Sequence, residues 1–330
     1  MSKIKTKIQS NQNYLSNNLK TYHDTKQSSL SDISYTSSGD GPDELIQRTI
    51  SRDIYIDYAK GAIGRGRYGV VWTAKWNDDL VAVKVFFSMH EQSWSRETEI
   101  YQTCMLRHEN ILGYIASDIK GIGCSVNMLL ITDYHSLGSL YDYLIENTID
   151  KNQLFKFINS IINGLNHLHN EIFSTKYKPI IVHRDLKTKN ILVKKNMECC
   201  LADFGLAVRF DSQTNKMDYG LNTIREGSVR YMAPEILNDT INFNSINELK
   251  STDIYALGLT IWEMLIRVDL KMSNDQVEEH RPPYFEYVQG DPPVEKMRDI
   301  VCVKKIRPTS HRFETFIQKD DVSFKLKELF

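Results

Sequence analysis

The apolar and polar positions along the chain predict strands in some stretches and amphipathic helices in others. Residues 80–87 alternate as a β-strand does, and the apolar run 129–132 predicts a buried strand. Residues 95–106 and 154–168 follow the helical period. A further helix is predicted over 252–266, with an inward face formed by four apolar residues, Ile254, Leu257, Ile261 and Leu265.

A charged loop lies between two β-branched apolar runs within residues 181–193. Because such runs predict strands, residues 183–190 are expected to form a tight loop. In this loop Asp185 can accept a proton, Lys187 can neutralise a transferring phosphoryl group, and Asn190 can ligate a hard metal ion. Phosphoryl transfer needs this combination because position and charge stabilise most of its transition state. The alternative is a solvated charged turn without a catalytic role.

A glycine-rich stretch, residues 63–71, precedes the predicted strand at 80–87. Gly64, Gly66 and Gly69 would let backbone amides approach phosphate groups closely. The glycine spacing occurs in more than one fold. A strand-like continuation nevertheless favours a β-hairpin over a dinucleotide-binding fold, in which a helix would begin here.

Lys84 interrupts an otherwise apolar strand. The period of a strand places Ala82 and Lys84 on one face, where the small Ala82 leaves room for a planar base and Lys84 can reach its phosphates. Because an unpaired buried lysine is costly, an acidic partner is expected, and the 95–106 helix offers Glu97 and Glu99. The alternative is a lysine on an edge strand in solvent.

Composition and charge bound the class of protein. The 330 residues carry a formal net charge of −1, which predicts no nucleic-acid partner and no membrane-binding surface. The cysteines include no Cys-x-x-Cys pair, so we expect reduced thiols, a cytosolic environment and no zinc site. No apolar run is long enough to cross a bilayer. Residues 1–34 are polar and predicted to be disordered, without the apolar core of a signal peptide.

Several motifs occur in the order found in eukaryotic protein kinases, which this chain resembles. They are the glycine-rich turn at 64–71, Lys84, Glu97, the loop 183–190, Asp203-Phe204-Gly205, Ala233-Pro234-Glu235 and Asp253. The resemblance implies an α+β, bilobal protein kinase fold with a β-rich N-lobe over 58–133 and a helical C-lobe over 134–308. It also implies ATP and Mg²⁺ (or Mn²⁺) as cofactors.

The resemblance further implies a role for each polar residue. Asp185 would orient the substrate hydroxyl or accept its proton, and Lys187 would offset charge on the γ-phosphate. Lys84, fixed by Glu97, would place the α- and β-phosphates. Asn190 and Asp203 would hold the metal ion, and Asp253 would hydrogen-bond the backbone around 183–184. These metal and backbone contacts complete the implied catalytic site.

The same resemblance implies an adenine pocket. Residues 133–135 would form the hinge, with the backbone of Asp133 and His135 bonded to adenine and Thr132 at the back of the pocket. The walls would come from four apolar residues, Ile63, Val71, Ala82 and Leu192. Apolar residues at these positions are equally compatible with an ordinary core.

More specifically, the chain resembles the type I receptors of the TGF-β superfamily. The similar segments are 81–87, 96–103, 107–113, 132–135, 138–144 and 231–235. Residues 117–123 resemble the bone-morphogenetic-protein branch, in the loop (117–127 here) that selects the Smad substrate in this family. The implied function is a receptor Ser/Thr kinase that phosphorylates serine residues of Smad-like substrates on the cytoplasmic side of the plasma membrane.

Residues 35–57 resemble the glycine–serine regulatory segment that a type II receptor kinase phosphorylates in this family. The implied regulatory residues are Thr36, Ser37, Ser38 and Thr49. Pro42-Asp43 replaces the Leu-Pro that holds a small immunophilin inhibitor, which argues against that partner.

The resemblance ends after Arg307-Pro308. The last helices of the C-lobe are therefore expected to be missing or altered, and residues 309–330 are interpreted as an atypical tail. With no stretch resembling an ectodomain or a membrane span, we expect a fragment, a spliced form or an incomplete gene model. The alternative function is a truncated, catalytically impaired kinase-like module that binds receptor or Smad partners.

Overall fold

An antiparallel β-sheet with one packed helix forms the N-terminal part of the protein. The computed structural model describes residues 50–122, 125–220, 226–270 and 277–309. The elements are β1 (Tyr55–Ile56), β2 (Gly64–Arg65), β3 (Gly69–Trp76), β4 (Asp79–Phe86), α1 (Glu91–Tyr101), β5 (Tyr114–Ile122) and β6 (Ser125–Asp133). The order across the sheet is β1-β3-β4-β6-β5, and β2 also pairs with β3.

Strand β4 lies in the middle of this sheet, between β3 and β6. Lys84 is paired with Val71 on one side and with Leu130 on the other, so the alternative of an edge-strand lysine is wrong. Helix α1 packs on the sheet, where Trp94 Nε1 donates to the Leu129 carbonyl at 3.0 Å. The sheet thus holds Lys84 beside the helix on which acidic partners were predicted.

The C-terminal part is mainly helical, with short strand pairs between its helices. Its helices are α2 (Leu140–Glu146), α3 (Lys151–His169), α4 (Pro234–Leu237), α5 (Ile246–Leu265) and α6 (Val294–Arg298). Its strands are β7 (Ile172–Phe173), β8 (Tyr177–Lys178), β9 (Ile180–Val182), β10 (Ile191–Val193), β11 (Cys199–Leu201), β12 (Val208–Asp211) and β13 (Lys216–Asp218). One hydrophobic core runs from the sheet into this part, through α1, α3 and α5.

Capping side chains set where the two long helices begin. The Asp150 side chain accepts from the Gln153 amide and begins α3, and Ser245 accepts from the Glu248 amide and begins α5. The predicted helix at 154–168 is confirmed as part of α3. The inner face of α3 is buried at every predicted position, namely Leu154, Ile158, Ile161, Leu165 and Leu168.

Two helix predictions need correction. The helix predicted over 95–106 spans Glu91–Tyr101, and the helix predicted over 252–266 begins earlier, at Ile246. Ile254 is 39% exposed, so its predicted inward position is wrong, whereas Leu257 and its later partners on that face are buried. The reason is that periodicity gives the direction of a helix face, but not whether another element covers each turn.

The predicted substrate-selecting loop at 117–127 is largely a β-hairpin. Residues 117–122 belong to β5 and residues 125–127 to β6. Two apolar side chains of this hairpin, Ile119 and Val126, are about half exposed. The substrate-selecting role of this segment stays a prediction.

The proposed regulatory residues Thr36, Ser37, Ser38 and Thr49 lie outside the described residues, as do the polar stretch 1–34 and the tail from residue 310 onward. Among the helices that the structure describes, none combines the length and the apolar character that a membrane crossing requires. The described cysteines are free thiols, and Cys199 and Cys200 are buried.

Candidate active site

The loop between β9 and β10 is fixed from below by a buried carboxylate. Asp253 of α5 accepts hydrogen bonds from the backbone amides of His183 and Arg184, each at 2.8 Å, as predicted. The same carboxylate lies 2.8 Å from His169 Nε2. Burial would raise the pKa of Asp253, but His169, His183 and the amides outweigh burial and lower it. Arg184 has a positive φ of 67°, a conformation that these two amide bonds stabilise.

Asp185 is the centre of the loop's polar contacts. Its Oδ2 accepts from Lys187 Nζ at 2.7 Å and from Asn190 Nδ2 at 3.0 Å, and its Oδ1 accepts from the Ser228 amide at 2.8 Å. Lys187 Nζ also donates to Ser228 Oγ at 2.6 Å. The carboxylate therefore has a fixed orientation, next to a cation that can offset phosphate charge.

Ser228 belongs to this group, a role that sequence reasoning missed. In the structure its amide and its hydroxyl both contact the loop, at Asp185 and Lys187. Gly227, which precedes the serine, has a φ of 143°. The glycine itself was therefore the signal available in the sequence.

Lys84, Glu97 and Asp203 come together from three elements. Lys84 Nζ of β4 lies 2.7 Å from Glu97 Oε2 of α1 and 2.9 Å from Asp203 Oδ1, which follows β11. Burial opposes the ammonium charge, but the carboxylates of Asp203 and Glu97 outweigh it and raise the pKa of Lys84. The predicted pair of Lys84 with Glu97, rather than Glu99, is confirmed, and Lys84 and Asp203 face one cleft.

Two carboxylates facing one ammonium leave this cluster short of positive charge. Burial, together with the nearby charge of Asp203, raises the pKa of Glu97 to about 7. The Lys84 ammonium lowers this pKa and offsets the rise only in part. The opposite holds for Asp203, where Lys84 outweighs burial and lowers the pKa of the carboxyl. A divalent cation bound beside Asp203 would supply the missing charge.

A backbone hydrogen bond holds the chain next to Asp203 against Asn190. The Ala202 amide donates to the Asn190 carbonyl at 2.9 Å, which brings the residue before Asp203 against the loop. The Asn190 amide nitrogen donates to the Asp185 carbonyl oxygen at 2.8 Å, so the remaining side-chain atom is an oxygen. Carboxylate and amide oxygens are the ligands that Mg²⁺ and Mn²⁺ prefer, so the donor set fits such an ion. In the described part of the chain, no group of three or more His, Cys, Asp or Glu residues forms another metal site.

The three glycines of the turn between β2 and β3 differ in their surroundings. A Cβ added to Gly69 would lie well inside van der Waals contact of the Val85 carbonyl oxygen, so strand packing alone requires glycine there. A Cβ on Gly66 would have no neighbour closer than 4.0 Å, and one on Gly64 would make ordinary contact with Val71. Gly66 therefore has the open backbone that a phosphate could approach.

The predicted adenine-pocket residues come from the N-terminal sheet, from the residue before β2 and from β10. Ile63 donates its amide to the Val71 carbonyl at 2.9 Å, and Ala82 is paired with Thr132 across β4 and β6. Leu192 packs on a small buried cluster formed by Leu112, Cys200 and Ala202. Ile63 is 46% exposed, as suits a lid over a cleft rather than a core residue.

Burial shifts the pKa values of the two hinge residues, Asp133 and His135, in the direction that favours their neutral forms. Asp133 packs against Gly113, its amide donates to the Gly113 carbonyl at 2.9 Å, and burial raises the pKa of Asp133. Burial lowers the pKa of His135 to about 4, so its imidazole is neutral near pH 7.

An aromatic column that the sequence did not predict connects α1 with the loop. Phe204 contacts Tyr101 edge-on at 5.0 Å and His183 at 5.2 Å, and Tyr101 stacks on Tyr114 at 5.6 Å. Phe204 is fully buried. Because it is the next residue after Asp203, its packing also fixes the backbone of Asp203. The column holds Glu97 and Asp203 in the arrangement that Lys84 requires.

A second unpredicted contact joins α1 to the β12–β13 hairpin. Buried Arg96 donates to the Asp218 carboxylate at 2.9 Å and to the Ala207 carbonyl at 2.9 Å. Arg209 also donates to the Asp218 carboxylate, at 2.6 Å. These contacts link the helix that carries Glu97 to the segment that ends at Ser228.

Comparison with known proteins agrees with this geometry. The protein kinase domain family matches residues 58–319. Activin receptor type-1 of Homo sapiens is 50% identical over 286 residues, which are 86% of this chain and 55% of that receptor. TGF-beta receptor type-1 of Homo sapiens is 50% identical over 277 residues, 84% of this chain and 54% of that receptor. The chain thus spans about half the length of the curated relatives it matches.

Proteins of this family generally use ATP and a divalent metal ion, for which the cleft at Lys84, Asn190 and Asp203 has fitting groups. The predicted α+β bilobal fold, a β-rich N-lobe followed by a helical C-lobe, is confirmed. From its family match, its fold and its similarity to two receptors, the chain belongs to the protein kinase family, with a kinase domain of the kind found in type I receptors of the TGF-β superfamily.

Proposed function

We propose that this protein is a receptor-type serine/threonine kinase of TGF-β/BMP signalling that transfers the γ-phosphate of ATP to serine residues of Smad-like substrates. The observation that carries the proposal is the convergence of Lys84, Glu97 and Asp203 on one side of the cleft with the contacts of Asp185 on the other. Charge and position of this kind are what phosphoryl transfer requires.

In this proposal Asp185 accepts the proton of the substrate hydroxyl. Its carboxylate is oriented by Ser228, Asn190 and Lys187, so one oxygen is held toward the substrate side. Lys187 also places its ammonium where charge on the transferring group increases. Ser228 and Tyr231 line a small pocket beside the Asp185 carboxylate.

Binding of the nucleotide is assigned to the N-lobe. Lys84, kept in place by Glu97, contacts the α- and β-phosphates, and the backbone around Gly64, Gly66 and Gly69 covers them. Adenine lies between the apolar side chains and the hinge, against Ile63, Val71, Ala82, Leu192, Thr132, Asp133 and His135. Asn190 and Asp203 would hold Mg²⁺ or Mn²⁺, which would supply positive charge to the transferring phosphate group.

Receptor context enters the proposal through the resemblance to type I receptors. The kinase domain is assigned to the cytoplasmic side of the plasma membrane, where a type II receptor kinase phosphorylates Thr36, Ser37, Ser38 and Thr49. The hairpin 117–127 selects the Smad-like substrate through side chains such as Ile119. Equal identity to an activin receptor and a TGF-β receptor leaves the BMP branch dependent on the resemblance of short segments such as residues 117–123.

The test is phosphate transfer from radiolabelled ATP to a Smad tail peptide, with Asp185→Asn as the inactive reference. We expect Mg²⁺-dependent labelling on serine by the unaltered chain and a loss of at least about 100-fold in the variant. Phosphoamino-acid analysis distinguishes serine from tyrosine transfer. Normal ATP binding without transfer would instead support a catalytically impaired binding module.

A further inference from the structure

Glu263 of α5 is fully buried and gathers donors from three other segments. Its Oε2 accepts from Thr188 Oγ1 at 3.0 Å and lies 3.0 Å from His280 Nε2. Its Oε1 accepts from the Tyr231 hydroxyl at 2.6 Å. A carboxylate without access to water depends on such partners, because each missing one leaves a buried oxygen without compensation.

Two of these donors belong to the proposed catalytic machinery. Thr188 is fully buried in the catalytic loop, one residue after Lys187, whose carbonyl accepts from the Asn190 amide at 2.9 Å. A shift of Thr188 therefore moves Lys187 and Asn190 with it. These are the residues that contact the Asp185 carboxylate.

Tyr231 connects Glu263 to the substrate side of the cleft. Its amide donates to the Ser228 carbonyl at 2.8 Å, and Ser228 contacts both Asp185 and Lys187. Burial and the charge of Glu263 raise the pKa of Tyr231 well above its ordinary value, so the phenol remains a hydrogen-bond donor. Glu263 thus fixes both segments that flank Asp185.

The third partner, His280, comes from a segment with no part in the proposed chemistry. Its side chain is 2% exposed, and its ring stands edge-on to Tyr141 of α2 at 4.8 Å. Arg267 donates to the Glu278 carbonyl and so anchors the chain just before the histidine. Packing and anchoring therefore leave the imidazole one orientation, with Nε2 toward Glu263.

We propose that His280 is a positioning residue of the kinase, which acts through Glu263 to hold Thr188 and Tyr231 and with them the contacts of Asp185. This inference rests on the proposed kinase function. Loss of the histidine donor leaves Glu263 to be satisfied by Thr188 and Tyr231 alone, so their side chains must move toward it. The catalytic loop and Ser228 then move relative to Asp185.

The test compares His280→Leu with His280→Gln. Leucine fills the space without a donor, whereas the glutamine amide can donate to Glu263 much as Nε2 does. We expect His280→Leu to lower kcat at least about tenfold with KM for ATP changed less than about twofold, because small displacements cost rate rather than nucleotide contacts. His280→Gln should retain most of kcat.

His167→Leu is the matched control. This histidine contacts the backbone carbonyls of Met105 and Leu106 and makes no contact with Glu263. Its loss should lower the melting temperature and leave kcat unchanged. If His280→Leu likewise lowers only the melting temperature, or if His280→Gln loses as much kcat as leucine does, His280 is structural and the inference is wrong.

A second measurement does not depend on activity. The methyl resonance of Thr188 in a ¹³C-labelled sample should shift in His280→Leu and return toward its original position in His280→Gln. A Glu263→Gln background removes the buried charge, so the leucine effect should largely disappear there if it acts through Glu263. If the Thr188 methyl resonance shifts but the unaltered chain transfers no phosphate, only the proposed function is wrong. If the resonance does not move in an enzyme that is active, the inference is wrong.

Discussion

The backbone amide of Ser228 donates to Asp185 Oδ1 at 2.8 Å, while the Ser228 hydroxyl accepts from Lys187 at 2.6 Å. One serine thus joins the segment before α4 to Asp185 and Lys187 of the catalytic loop. The contact makes the orientation of Asp185 depend on the fold of that segment. This dependence gives Ser228 a positioning role.

Replacement of Ser228 should test the part of its hydroxyl in this positioning role. We expect Ser228→Ala to lower kcat by about tenfold, since Lys187 loses a neighbour and catalytic groups tolerate little displacement. Ser228→Thr keeps the hydroxyl and should retain activity. Steady-state transfer to a Smad tail peptide measures both, and equal activity in all three proteins would show that the hydroxyl has no positioning role.

Asp203 is a proposed metal ligand. Its carboxylate also shares the Lys84 ammonium with the like-charged Glu97. Asp203→Asn should lower kcat by at least about 100-fold, because a metal ligand and its charge are lost. Without metal or nucleotide the variant should also melt at a lower temperature than the unaltered chain, because Lys84 lowers the pKa of Asp203 and the folded state therefore favours its ionised form. Differential scanning calorimetry checks the second expectation, and an unchanged or higher melting temperature would contradict it.

The glycines of the turn provide a matched pair. Gly69→Ala should destabilise the N-lobe by about 1–3 kcal/mol, because the added methyl overlaps the Val85 carbonyl and the strands must separate. Gly66→Ala meets open space and should leave the melting temperature unchanged while raising KM for ATP. Urea unfolding and ATP titration report the two effects, which should not occur in the same variant.

The Asp253 carboxylate has three donors and almost no contact with solvent. Asp253→Asn should cost about 3–5 kcal/mol of unfolding free energy, because an amide oxygen cannot replace a carboxylate that receives two backbone amides and a histidine. Asp79→Asn, at the exposed start of β4, is the control and should change stability by less than about 0.5 kcal/mol. Urea denaturation of both variants makes the comparison.

Acid should abolish the contribution of Asp218 to stability. Burial opposes ionisation, but hydrogen bonds from Arg96, Gly220 and Arg209 outweigh it and hold the pKa of Asp218 far below its ordinary value. Because the folded state binds this proton less readily than the unfolded chain, the contribution is complete above the unfolded pKa of about 4 and is lost as pH falls below it. The difference in melting temperature between the unaltered chain and Asp218→Asn should therefore be largest near pH 6 and should shrink toward pH 3.

The sequence predicted the catalytic loop well because its signal is local. Strands on either side of residues 183–190 follow from β-branched runs, and spacing alone brings Asp185, Lys187 and Asn190 into one short loop. The pairing of Lys84 with Glu97 required the family resemblance, since Glu99 was an equal candidate by helix pattern. Boundaries were less predictable, and Ile254 shows that an apolar stripe does not reveal which of its turns is covered.

By itself the sequence determined which chemical groups are present and in what local order: an acid, a cation and an amide in one loop, a lysine in a strand, and a glycine-rich turn. Only the tertiary structure decided which groups meet, as Ser228 with Asp185, Arg96 with Asp218, and His280 with Glu263. The physical reason is that hydrophobic periodicity fixes the inward face of each element, whereas contacts between distant segments depend on how all those faces pack together. A buried carboxylate such as Glu263 finds its donors only after that packing is complete.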